Sequence, residues 1–371
     1  MQKSRVWMFF VALAGLCWGV YVPLVAEGGK ELHSAFAAFL CVGAAYFLLA
    51  VLLPILILGA RGKRPAWNGR GISLSTLAGV AGAAGALCVI FATVVFPGPP
   101  MFVAPVIFAL APVINTIVSL FWHPDEGAFT IGAPREPVHW SLYLGVVFAG
   151  LGAALVLLSK DLPGILAGKW PDFSKGYTFV IFVLLAGLSW GVYVPLIAQG
   201  GKDLKNSYAS FLCVGAAYFV VAVLLPLLML WLLSGRPDVP KPEFGASAVT
   251  LATLSGAAGA VGALCVIFAT FEFKGPRMYV APVIFALAPV INTIVTLFWY
   301  RPQATPRSPA VLALPEALPH WSLYVGIILA GLGAALVLFA KELTEAKHAA
   351  HLRATGHAPN APVIASEAVK P

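Results

Sequence analysis

The chain has 371 residues, of which 60% are hydrophobic and 10% charged, and a formal net charge of +8. So apolar a balance excludes a water-soluble globular protein and points to a chain embedded in a bilayer. The basic residues lie between apolar segments, where they set topology and meet anionic lipid, so nucleic acid is excluded as a partner and the lipid bilayer is expected as one.

Ten apolar segments are long enough to cross about 30 Å of hydrocarbon at about 1.5 Å of helix per residue. In chain order they fall near residues 6–26, 35–59, 72–96, 101–122 and 140–159, then 177–198, 207–233, 247–271, 278–299 and 321–340. The first follows Lys3 and Arg5 in the manner of a signal peptide, but its match lies mid-chain, so it reads as a retained helix. Residues 124–138 and 301–319, rich in proline, read as variable surface loops.

The second five segments repeat the first five. Trp18-Gly-Val-Tyr-Val-Pro-Leu24 returns as Trp190-Gly-Val-Tyr-Val-Pro-Leu196, and Val103 to Val118 returns letter for letter at Val280 to Val295. His139-Trp-Ser-Leu-Tyr143 returns at His320 to Tyr324. Residues 1–160 therefore read as one five-helix repeat, 161–175 as a connector, 176–341 as a second repeat and 342–371 as a disordered polar tail. An odd number of crossings inverts the second copy. The expected fold is an all-α membrane protein with ten transmembrane helices in a 5+5 inverted-topology repeat, an architecture of secondary transporters. Lysine and arginine counts place both termini in the cytoplasm of a cell membrane, expected to be a bacterial inner membrane.

Four groups of residues stand out. Trp18 and Tyr21, matched by Trp190 and Tyr193, lie three apart on one helical face beside Pro23 and Pro195. Core packing and stacking on a planar or sugar-like ligand both suit them; Tyr46 and Tyr218 have a weaker claim to the same role. Pro105 and Pro112, matched by Pro282 and Pro289, are expected to break the fourth helix of each copy and free carbonyls that lipid cannot satisfy. Asn115 and Asn292 follow three residues after the second proline, as interhelical hydrogen-bonding groups or as substrate-binding amides. Gly79, Gly82 and Gly85, matched by Gly256, Gly259 and Gly262, read as helix-packing faces, as do Gly145, Gly150 and Gly152 with Gly326, Gly331 and Gly333; a homodimer face is the alternative.

No Asp or Glu lies near the middle of an apolar segment, which speaks against a conventional proton relay; Glu27 and Glu272 lie at segment ends, and Glu27, with Lys30 and Lys202, reads as a solvated helix end, a gate or ion-pair role being the alternative. Cys17, Cys41, Cys88, Cys213 and Cys265 are spaced neither as a metal site nor as a disulfide framework, and no catalytic constellation, cofactor motif or metal site is expected.

The opening Gly-Leu-x-Trp-Gly of each copy (Gly15 to Gly19, Gly187 to Gly191) and the closing Ala149 to Val156, repeated at Ala330 to Val337, resemble the drug/metabolite transporter superfamily of EamA type. The likeness runs from residue 6 to 341 and extends to the sugar-uptake branches. It implies alternating-access transport of a small organic solute, with Trp18 and Trp190 lining the cavity. A lipid flippase or drug exporter, and a membrane sensor or scaffold without flux, are the other classes the sequence admits.

Overall fold

The computed structural model describes residues 6–61, 64–135, 137–170, 176–237, 239–273, 277–300, 311–312 and 318–354. They form ten long helices: α1 Val6–Glu31, α2 Ala35–Ala60, α3 Gly69–Val95, α4 Pro100–Phe121, α5 Ser141–Leu158, α6 Thr178–Asp203, α7 Ser207–Leu233, α8 Ala246–Thr270, α9 Arg277–Phe298 and α10 Trp321–Ala354. Nine of them are long and apolar enough to cross a membrane, and α9 has a shorter apolar stretch, Val283–Phe298. The protein is thus an all-α, multi-pass membrane protein. Its described strands are one antiparallel pair, Trp299–Tyr300 with Val311–Leu312.

Local chemistry sets the helix ends, at several of them by the same device in the two copies. His33 and Lys205 close α1 and α6 in left-handed conformation, at φ of 52° and 51°. Ser34 caps α2 by accepting from the Ala37 amide, and its match Asn206 caps α7 by accepting from Tyr208 and Ala209; Asn68 caps α3 by accepting from the Gly71 amide at 2.8 Å, whereas its match Gly245 has no side chain to do so. The repeated His-Trp-Ser is a cap as well: the His139 Nδ1 lies 2.8 Å from the Ser141 hydroxyl, and His320 Nδ1 lies 2.9 Å from that of Ser322.

Prolines shape the helix interiors without interrupting them. α2 widens to a π-helix at Phe47–Leu52, just before Pro54, and α7 does so at Val220–Leu224, just before Pro226. The wider turn relieves the clash of each ring with the carbonyl four residues back, that of Ala50 or Ala222. Those carbonyls press on Gly215 and Gly43 of the other copy, where a Cβ would overlap them, so the polar oxygens are covered by glycine Cα–H rather than by lipid. The fourth helices depart from expectation. α4 runs unbroken through Pro105 and Pro112, and α9 through Pro282 and Pro289. The flanking helical turns carry the conformation across each missing donor, so these prolines free carbonyls but do not break the helix.

The two copies interlock rather than sit side by side. α1 packs on α8 and α9 of the other copy, α6 packs on α3 and α4, and α5 crosses α10. Gly145 and Gly152 meet the backbone of Gly333, Val337, Gly326 and Ala330, so this glycine face is used within the chain. The segment expected as a polar tail begins as helix, since α10 continues to Ala354. Its Glu, Lys and Ala are good helix formers, and Lys341 lies 3.8 Å from Glu345 one turn on. Residues 355–371 and most of 301–317 lie outside the described residues. The loop after α4 is held down: Arg135 pairs with Asp125 and Glu126, and Arg70 donates to the Pro124 carbonyl.

Gly145→Leu is expected to drive α5 from α10 and lower stability by about 1–3 kcal/mol. Gly150→Leu, with open space at its Cβ, should melt in detergent as the wild type does.

Candidate functional site

The centre of the bundle is built from the first, second, third and fourth helices of both copies. Trp18 on α1 donates from its indole nitrogen to the Gly259 carbonyl of α8 at 3.3 Å, and Trp190 on α6 donates to the Gly82 carbonyl of α3 at 3.1 Å. Glycine spacing makes the fit. A Cβ at Gly79 would strike the backbone of Val214, as expected of a helix-packing glycine. The next two glycines make room for rings instead. Gly82 faces those of Tyr218 and Tyr193, and Gly85 faces Trp190. Gly259 and Gly262 repeat this with Tyr46, Tyr21 and Trp18. These glycines seat aromatic rings on a helix surface that any side chain would cover.

Tyr46 and Tyr218 then stack at the two-copy junction, with ring centroids 3.9 Å apart and planes 3° from parallel. Tyr21 meets Trp190 edge-on at 6.0 Å, and Phe108 meets Phe285 edge-on at 5.9 Å. Together these rings enclose a cavity of about 80 Å³ whose walls include Trp18, Trp190, Tyr21, Tyr193, Tyr46 and Tyr218. The Tyr21 hydroxyl, buried in this wall, has no hydrogen-bond partner among the described residues. A buried donor left so is costly unless something in the cavity meets it.

This small cavity shares Trp18, Tyr193, Val194 and Ala263 with a wider one of about 550 Å³. The wide cavity opens at the end of the bundle where α4, α6 and α8 finish, and its wall includes Asn115, His123, Lys202 and Lys341. At the opposite end the sequence-matched positions are packed shut. Ala86, Val89, Thr93 and Ala104 are buried, while their matches Ala263, Val266, Thr270 and Ala281 are partly exposed. Likewise Tyr21, Val22 and Val25 are buried, whereas Tyr193, Val194 and Ile197 are partly exposed.

Of the six residues expected at the site, the four aromatic ones converge and the two asparagines do not. Asn115 is seven residues beyond Phe108, on the same face of α4 and about 10 Å nearer the open end. Asn292 is fully buried near the closed end, where its amide donates to the Pro100 carbonyl at the start of α4, at 3.0 Å. Along α4 the two asparagines therefore bracket the aromatic cavity at levels about 22 Å apart. Identical sequence around each asparagine concealed this, because the fourth helices run in opposite senses past one centre.

Sequence reasoning passed over Phe108 and Phe285, which lie in an unbroken apolar run, and Lys341, which looks like an ordinary basic residue at a helix end. The Lys341 ammonium instead turns inward and donates to Asn115 Oδ1 at 3.3 Å. The expected solvated end also differs. Glu27 is 9% exposed, because α8 of the other copy packs against the turn that carries it, and Glu272 accepts from the Tyr208 hydroxyl of its own copy at 2.8 Å. Neither the protein-family models nor the curated proteins compared with the chain match it.

In a background lacking the five native cysteines, Ala263→Cys is expected to react with a water-soluble maleimide at least about tenfold faster than the matched Ala86→Cys. Equal rates would show that the cavity does not open at one end.

Proposed function

We propose that the protein is a secondary transporter that moves a small organic metabolite, sugar-like or otherwise polar, across the membrane by alternating access. The observation that carries this reading is the unequal exposure of sequence-matched positions: one copy's residues wall an open cavity while their twins are packed shut. A static receptor or scaffold has no need of two matched gates in different states. On this reading the ten helices are a 5+5 inverted repeat, and the other state is obtained by exchanging the roles of the copies.

The exchange has named contacts. In the present state Asn292 holds Pro100 and the far end is shut. In the exchanged state Asn115 would leave Lys341 and donate to the carbonyl of Arg277, the match of Pro100. Solute would bind against Trp18, Trp190, Tyr21 and Tyr193 at the pivot. The open end carries Arg70, Arg135, Lys202 and Lys341, and by the positive-inside rule this supports a cytoplasmic side for that end and for both termini. The likeness of the Gly-Leu-x-Trp-Gly and Ala149 to Val156 motifs to the EamA-type drug/metabolite transporters supports the same assignment.

The test is flux into proteoliposomes of labelled sugars, amino acids and organic acids. A water-soluble solute should accumulate with wild type, and Trp18→Ala with Trp190→Ala should cut its rate at least about tenfold by removing both stacking surfaces. Specific binding without flux would reject transport in favour of a sensor; flipping of labelled lipid with no solute flux would reject it in favour of a flippase. Asn292→Ala removes a bond worth about 1 kcal/mol, so it should raise maleimide labelling of Ala104→Cys about fivefold as the shut end opens more often.

A further inference from the structure

The reading above leaves the solute's chemistry open, and the cavity walls narrow it. A sugar asks for many directional partners. Both indole N–H groups are already bonded to glycine carbonyls, so the polar side-chain groups left to the wall are the hydroxyls of Tyr21, Tyr46, Tyr193 and Tyr218, on rings among otherwise apolar residues. That chamber therefore accepts an apolar or planar body with little polar demand. The strong polar feature stands elsewhere, at the mouth of the chamber. Lys341 has 15% of its side chain exposed and reaches inward to Asn115, itself 4% exposed. A lysine at the end of a membrane helix ordinarily snorkels outward to water. Its match, Lys160, does lie exposed, over the ring of Tyr177 at 4.7 Å.

We infer that the transported solute is an amphiphilic organic anion about 10 Å long, its apolar body between the central aromatic rings and its carboxylate at Lys341 Nζ and Asn115. The length follows from Phe108 and Asn115, one at each level on the same face of α4, two helical turns apart. The charge sign follows from Lys341. Its neighbour Glu345 is 3.8 Å away but lies a turn nearer the rim and is 60% exposed, and the rim's Asp125 is paired with Arg135. Glu342 and His348 complete the charged wall on the same helix, and Lys202 faces it from α6. A cationic solute would meet Lys341 before reaching the rings. In the exchanged state Asn115 turns to the Arg277 carbonyl, so the anchor is offered at one end of the cycle only.

The inference rests on the transport reading for its purpose but is tested by binding alone. The purified full chain would be titrated by calorimetry with 4-phenylbutyrate, 4-phenylbutyramide and 4-phenylbutylamine, which share a body and differ in charge. We expect the carboxylate to bind at least about tenfold tighter than the amide and the amine not to saturate. Lys341→Arg should retain that preference; Lys341→Gln should abolish it while keeping affinity for the amide. Should Lys341→Gln fail to fold, Asn115→Asp, which sets a carboxylate beside the ammonium, is expected to weaken the anion at least about tenfold. Equal binding of the three probes, preference for the amine, or unchanged affinity in both the Gln and Asp variants would overturn the assignment. Anion binding without flux would instead reject transport and leave the Lys341 site standing.

Discussion

Each tryptophan of the repeated motif is held by a glycine carbonyl of the opposite copy, and this reciprocal contact fixes the centre of the protein. In a bilayer, apolar side chains gain little by leaving lipid for one another, so close packing and hydrogen bonds must choose which helices meet. Trp18 on Gly259 and Trp190 on Gly82 do both at once. The glycine one turn further along the third helix clears room for the indole, and the stacked pair Tyr46 and Tyr218 fills the space between the copies. No half could bury its own aromatic set alone. The same dependence recurs at the second helices, where the carbonyls of Ala50 and Ala222 are covered by Gly215 and Gly43.

In the proposed transport cycle, a centre shared by two matched ends would let the protein open at one end at a time. The rings near the middle touch both copies and would serve as the fulcrum of that cycle, with the fourth helices and the last helix moving around them. Here Asn292 fastens one end to Pro100 and Lys341 occupies Asn115 at the other. Two near-identical sequences thus occupy unlike environments. For the proposed exchange, the difference in free energy between the two states would need to be only about the size of a few hydrogen bonds, the range that a bound solute can reverse.

Much of this was legible in the sequence. Apolar length placed the helices, because in lipid a segment must satisfy its own backbone and few other structures can. The duplicated Trp-Gly-Val-Tyr-Val-Pro marked the central rings, since aromatic residues repeated at mid-segment have no interfacial reason to be there. The asparagines were marked as polar, either as interhelical hydrogen-bonding groups or as substrate-binding amides; Asn292 makes an interhelical bond and Asn115 lines the wide cavity, and a motif that repeats letter for letter gives no hint that its two copies stand at opposite ends. Lys341 was missed for a related reason. A basic residue where hydropathy falls reads as a helix end in water, and only the approach of α4 shows that it turns inward. The prolines of α4 were overread, because a missing donor need not interrupt a helix that neighbouring helices hold on every side.

The proposed exchange of ends requires the second copy to run through the membrane in the opposite sense to the first. The most direct measurement is the sidedness of single cysteines, one at Lys169 in the connector and one at Glu345 on α10, in sealed vesicles of known orientation treated with an impermeant maleimide. The account predicts that the two are modified from opposite faces, with Glu345 on the same face as the chain's N-terminus. Modification of both from one face would mean that a half crosses the bilayer an even number of times, and the two ends could not then trade places.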